Sequence, residues 1–164
     1  MRALLRSAIL AFAGLAVLAS PAAAQLRPAP LAEVFESYND CFAATNGGTL
    51  APAELEKLGW QRATLSADGK TIKDGPIIYG HAKRAPLILL SGSEGKGICV
   101  VNARIESLSI FDEFKAAFGG KLPSPNKDGE ITFVAEGRAV QIAPTGSRKE
   151  PALRLVVMTR SESK

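Results

Sequence analysis

The sequence predicts an α+β fold, an antiparallel sheet of about six to eight strands with three helices packed on it and one disulfide tying the layers together. Two observations carry the fold class. Three segments repeat apolar residues at helical spacing, while most of the remainder alternates in short runs separated by Asp-Gly, Gly-Ser and Glu-Gly turn sequences. A third observation concerns the two cysteines: Cys41 falls on the apolar face of a predicted helix and Cys99 on the more apolar face of a predicted strand.

The chain opens with a segment that reads as a cleavable secretory signal. Arg2 and Arg6 form a basic start without an acid, Ala8 to Leu18 is an apolar run, Pro21 interrupts it, and Ala22-Ala23-Ala24 supplies small residues for cleavage before Gln25. The run is shorter than the roughly 20 apolar residues a spanning helix needs. The division expected is therefore a signal over 1–24, a Pro-rich, mobile lead over 25–30, and a single domain over 31–160, placed in the periplasm or secreted and not spanning a membrane after cleavage. Loss of Arg2 and Arg6 lowers the formal charge from +4 to +2. The remaining cations are dispersed, with only Lys83-Arg84 and Arg148-Lys149 adjacent, so no basic stripe for nucleic acid is expected.

The first helix should run from Pro30 or Leu31 to Thr45, where Leu31, Val34, Phe35, Tyr38 and Phe42 share a face and Asn46-Gly47-Gly48 ends it. A short second helix starts at Pro52, with Glu54 near its positive end and Leu55 and Leu58 inward. Gly59 is its C-cap, and Trp60 just beyond should fold back on Leu55 as a core anchor. Strands follow at Arg62 to Ser66, Thr71 to Lys73, Ile77 to Ala82 and Pro86 to Ser91, with turns at Asp68-Gly69 and Asp74-Gly75-Pro76. Gly97 to Ile105 is the longest strand. Cys99, Val101, Ala103 and Ile105 lie on one face and Ile98, Val100, Asn102 and Arg104 on the other. The first set is the more apolar and should face the helix that carries Cys41, which predicts a buried Cys41–Cys99 bridge. A third helix is expected from an N-cap at Ser109 to Phe118, with Ile110, Phe111, Phe114 and Phe118 as its stripe. Ile131 to Ala135, Ala139 to Ala143 and Leu153 to Thr159 complete the sheet.

No motif reaches the strength of a catalytic or cofactor signature. Ser93-Glu94-Gly95-Lys96-Gly97 lacks the phosphate-loop glycine and lies between two strands rather than before a helix. Leu90 occupies the first glycine position of a nucleophile elbow around Ser91 to Gly95. Cys41 is late in its helix, where the dipole disfavours a thiolate. Two Cys and one His give no metal-ligand spacing, so neither metal nor cofactor is expected. The chemistry-bearing candidates are His81, the single histidine, and the carboxylate pairs Glu33 with Glu36 and Asp112 with Glu113.

The Ala-rich leader, Phe35-x5-Cys41, Leu58-Gly59-Trp60 and the Cys99-Val100-Val101 strand together resemble small exported proteins of alphaproteobacteria. The resemblance brings no activity or functional residue with it. The expected function is a non-enzymatic binding, inhibitory or envelope-associated module whose partner is an envelope protein or a small ligand. The alternatives are a small hydrolase using His81 or a carboxylate pair, and a small-ligand binder in a sheet–helix cleft. For the latter, Tyr79, His81 and Trp60 are the candidate binding residues.

Overall fold

The computed structural model describes residues 27–64, 66–67, 70–71, 77–93 and 96–160. The helices are α1 (Leu31–Ala44), α2 (Pro52–Lys57) and α3 (Ser109–Ala116). The strands are β1 (Trp60–Arg62), β2 (Ser66–Ala67), β3 (Lys70–Thr71), β4 (Ile77–His81), β5 (Leu87–Ser93), β6 (Lys96–Arg104), β7 (Ile131–Ala135), β8 (Arg138–Gly146) and β9 (Pro151–Met158). Seven of them form one antiparallel sheet in the order β1-β4-β5-β6-β9-β8-β7, and β2 and β3 form a separate ribbon. The predicted α+β class and its three helices are those observed. The signal over 1–24, the turns Asp68-Gly69 and Asp74-Gly75-Pro76, and the last four residues lie outside the described residues.

The topology follows from hairpins and one long return. β4, β5 and β6 form a meander; the chain then crosses through α3 to the far edge and comes back as β7, β8 and β9, which closes on β6. The β7–β8 turn places Glu136 (φ 50°) and Gly137 (φ 74°) both in the left-handed region, the requirement of a two-residue hairpin that follows the strand twist.

The helices occupy one side. Tyr79, Ile88, Leu90, Cys99, Val101, Leu155, Val157, Val140 and Ile142 point to that side and are buried, together with Val34, Cys41 and Leu55 from the helices. Each such aliphatic side chain contributes roughly 1.5–3 kcal/mol when removed from water. The Cys41–Cys99 disulfide joins α1 to β6 with a Cα–Cα distance of 5.5 Å, and both cysteines are inaccessible. A second cluster locks α3 against α1 and β7. Phe35 stacks on Phe114 with centroids 4.4 Å apart, Tyr38 meets Phe42 and Phe114 edge-on, and Phe118 meets Phe133.

Several boundaries differ from the expected ones for local reasons. The strand expected at Arg62 to Ser66 starts earlier, because Gly59 (φ 91°) turns the chain directly into β1 and Trp60 pairs with His81. Trp60 is thus a strand residue, not the tail of a helix stop. Leu108 rather than Ser109 is the cap residue of α3, and Ser109 lies in the first turn, its hydroxyl 2.6 Å from that of Ser107. β8 runs on to Gly146, since β9 stays in register through Pro144 and Gly146. The lead is tied down from Arg27 onward. Ala29 is buried and donates its N–H to the Arg104 carbonyl at 2.7 Å, and Arg27 pairs with Glu33 at 2.9 Å.

Candidate functional site

Two regions can be weighed as sites: the corner that holds Tyr79, His81 and Trp60, and the sheet face opposite the helices.

The corner is assembled by β1, β4 and α1. Register pairs Trp60 with His81 and Arg62 with Tyr79, so the three candidate residues share the helix side of the sheet edge. The Trp60 and His81 rings meet edge-on with centroids 5.3 Å apart. Trp60 and Tyr79 are, however, only 2% and 1% exposed, so neither offers a ligand an open surface. The Trp60 indole N–H donates to Asp40 Oδ2 at 2.8 Å. The Arg84 guanidinium binds the same carboxylate, reaches Glu36 Oε2 at 3.0 Å through Nε, and lies 5.8 Å from the Trp60 ring centroid.

His81 is half-buried, and its Nδ1 accepts the Lys83 N–H at 3.1 Å. That contact requires an unprotonated Nδ1 and leaves Nε2 toward Gly59, where a Cβ would stand 3.0 Å from it. The predicted pair of Glu33 and Glu36 is likewise occupied. Glu33 accepts the Ala85 N–H at 2.7 Å and binds Arg27, and Glu36 binds Arg84. Burial pushes the Glu33 carboxyl up, but the Ala85 N–H and the Arg27 guanidinium outweigh it and hold the group below the ordinary carboxylate range. Asp112 of the other pair forms an ion pair with Lys115 on the surface of α3, and Glu113 is exposed there. The acids of α1 recur at positions 33, 36 and 40, on the side that meets the β4–β5 turn, and they clamp that turn to the helix. The corner therefore works as a clasp between α1 and the sheet edge.

At the other end of α1, Arg138 performs a similar task. It is 2% exposed, donates to the Phe42 carbonyl at 2.5 Å and to Thr45 Oγ1 at 3.1 Å, pairs with Glu136 at 2.6 Å, and lies over the Phe42 ring at 4.5 Å. A cation at the last carbonyls of a helix is favourably placed in the helix dipole. Burial pulls the Arg138 guanidinium down, and Glu136 offsets part of that. Among the described residues, no group of three or more His, Cys, Asp or Glu is placed to hold a metal ion.

The second region was missed in the sequence. Register fixes which residues point away from the helices. One row across the strands is Ser91, Ile98, Met158, Ala139 and Val134; the next is Ile78, Leu89, Val100, Val156, Gln141 and Thr132; a third contains Leu87, Asn102, Arg154 and Ala143. All three described helices lie on the other side, where they carry Cys41 to Cys99 and Phe118 to Phe133 and set Asp40 on Trp60. Met158 (45%) and Val134 (73%) lie in the same row, separated by Ala139 of β8, and are two of the large apolar side chains left exposed. Arg154 borders the apolar rows, held by Glu130 at 3.0 Å.

A signal for this face exists in the sequence. Leu87-Ile88-Leu89-Leu90, Ile98-Cys99-Val100-Val101 and Leu155-Val156-Val157-Met158 are continuous apolar runs, not alternating ones. An antiparallel strand with one wet face normally alternates, and a continuous run is the pattern of a strand covered on both sides. Three adjacent strands, β5, β6 and β9, break the alternation at the same level. Comparison of the chain with protein-family models, with curated proteins and with solved structures finds no match.

Proposed function

We propose that the chain acts as an exported, non-enzymatic binding module and that its contact surface is the helix-free face of the sheet. One observation carries this reading. The three central strands are apolar on both sides, yet among the described residues the helices cover only one. On that face Met158 and Val134 are exposed, Ile78, Leu89, Ile98 and Val100 are half-buried, and Val156 is buried; apolar side chains left accessible on an uncovered face mark interaction sites, because polar residues would serve better in water. Export is supported by the N-terminal charge and hydropathy pattern and is compatible with a disulfide, which persists in oxidising compartments. The hydrolase alternative finds less support. His81 Nδ1 is engaged with Lys83, and Glu33 and Glu36 are engaged with Arg27, Ala85 and Arg84, so these groups serve the clasp.

A photocrosslinking side chain placed at Met158 in the protein expressed in its own cell tests the reading. Adducts are expected from position 158 and not from position 108, where Leu108 is equally exposed at 45% but lies at the start of α3. No adduct from position 158, or the same adducts from both, overturns it.

A further inference from the structure

We infer that Asn46-Gly47, in the turn after α1, is a site of spontaneous covalent modification, at which the Gly47 backbone nitrogen converts the Asn46 side-chain amide into a carboxyl group. The inference is independent of the role proposed for the sheet face. It starts from the glycine. Gly47 follows the end of α1, yet its backbone is not in the left-handed region. A Cβ built on it would meet nothing nearer than the Thr49 carbonyl oxygen, at 3.7 Å. Neither conformation nor packing therefore demands a glycine at 47. What the missing side chain does provide is an open path to the Gly47 nitrogen.

The surroundings leave both reacting groups free. Asn46 and Gly47 are exposed and belong to no helix or strand. Among the described residues, no hydrogen bond engages the Asn46 side chain or the Gly47 N–H. The turn is held at its two ends instead. The Asn46 N–H reaches the Ala43 carbonyl at 3.4 Å, the Ala51 N–H donates to the Ala44 carbonyl at 2.8 Å, and Leu50 packs over Gly97. Between those ties the backbone can reach the attack geometry without disturbing the core.

The other three asparagines of the chain differ on each count. Asn39 and the Asp40 that follows it lie inside α1, where the ladder holds the backbone nitrogen. Asn102 lies in β6, between Leu87 and Arg154 of the flanking strands, and precedes buried Ala103. Asn126 Oδ1 accepts the N–H groups of Asp128 and Glu130, both at 2.9 Å, and Lys127 follows it.

The reaction needs only water. The Gly47 nitrogen gives its proton to solvent and bonds to Asn46 Cγ. The Cγ–Nδ2 bond breaks, and the amide nitrogen takes a proton from solvent and leaves as ammonia. Tethering within one chain makes this step effectively unimolecular. A cyclic imide remains. Water opens it at the Cγ carbonyl to give aspartate, or at the backbone carbonyl to give isoaspartate, in which the chain runs through the side chain. Either product puts a new negative charge just beyond the carbonyl end of α1, where the helix dipole disfavours it.

The test is incubation of the folded, disulfide-bonded chain from Gln25 at neutral and at mildly alkaline pH, followed by peptide mapping and isoaspartate methylation. The amide-to-carboxyl mass change is expected at Asn46 ahead of Asn39, Asn102 and Asn126. It should be faster at alkaline pH, where the nitrogen loses its proton, and should yield both isoaspartate and aspartate. Gly47→Ala, whose Cβ has room in the fold, should slow conversion at least about ten-fold by crowding the nitrogen. Circular dichroism verifies that this variant is folded. Conversion of Asn46 only in the reduced, urea-unfolded chain, or in neither form, overturns the inference. So does earlier conversion of another asparagine, an undiminished rate in Gly47→Ala, or aspartate without isoaspartate, the mark of direct hydrolysis.

Discussion

The Cys41–Cys99 link offers the sharpest test of how the domain is held together. Replacing both cysteines by Ala removes a covalent connection between residues 58 apart in sequence. In the chain-entropy account, closing a loop of that length in the unfolded chain is worth about 4 kcal/mol. For a domain of this size each kcal/mol moves the midpoint by roughly 3–5 °C, so thermal unfolding of Cys41→Ala/Cys99→Ala should fall by roughly 15 °C. The pair is also a discriminating design. If the link is what matters, Cys41→Ala alone, Cys99→Ala alone and the double variant should all lose about the same amount, because either substitution opens the loop. If packing of the two inaccessible sulfurs dominates, the single effects should add in the double variant. The assay is calorimetry, or circular dichroism at increasing temperature, on all four proteins. A loss below roughly 5 °C, or additive single effects, refutes the loop argument. Because both sulfurs are buried, reductant should attack them only through unfolding, and thiol labelling of the folded protein should follow the unfolding rate.

Other perturbations probe the two clasps of α1. Asp40→Ala leaves the Trp60 indole N–H and the Arg84 guanidinium without their shared acceptor, and should cost about 2–4 kcal/mol in urea unfolding followed by the single Trp. Asp40→Asn keeps an acceptor for the indole and should lose less; equal losses contradict the shared-acceptor geometry. Arg138→Met withdraws the donor to Phe42 and Thr45 and should destabilise by about 3 kcal/mol, with Arg138→Lys recovering little because one ammonium cannot reach Glu136, Phe42 and Thr45 together. The Tyr38 hydroxyl supplies a pH signature. Burial, with help from Glu136, pushes it from 10 up to about 12. The folded state then holds a proton that the unfolded state releases first, so the contribution is complete below pH 10 and is lost as pH rises toward 12. Roughly 2–3 kcal/mol should disappear over that interval, and Tyr38→Phe should flatten this part of the stability profile; an unchanged profile in the variant contradicts the assignment.

The parts of the molecule that could be read in the sequence are those governed by neighbouring residues. Periodicity placed Val34, Tyr38 and Cys41 on one side of α1, and Gly59 marked the end of α2 because only a residue without Cβ enters the left-handed region at low cost. Alternation in β6 put Cys99 with Val101 on the helix side, and the bridge to Cys41 followed from two independent periods. Strand ends at Trp60 and Gly146 were less legible, since they depend on pairing with His81 and Pro151 and not on local preference.

What only the tertiary structure decided is the use of the polar groups and the sidedness of the sheet. Glu33, Glu36 and Asp40 look like a solvated helix face until the β4–β5 turn arrives with Arg84 and the Ala85 N–H. Trp60, Tyr79 and His81 do meet at one corner, but the depth that brings them together also closes it over Trp60 and Tyr79. The continuous apolar runs in β5, β6 and β9 were present in the sequence from the start, yet a run that is apolar on both sides names no direction. Which half of each run is core is fixed by where Cys41 is tied to Cys99. The other half then faces away from the three described helices of 14, 6 and 8 residues, which lie on one face of the seven-stranded sheet.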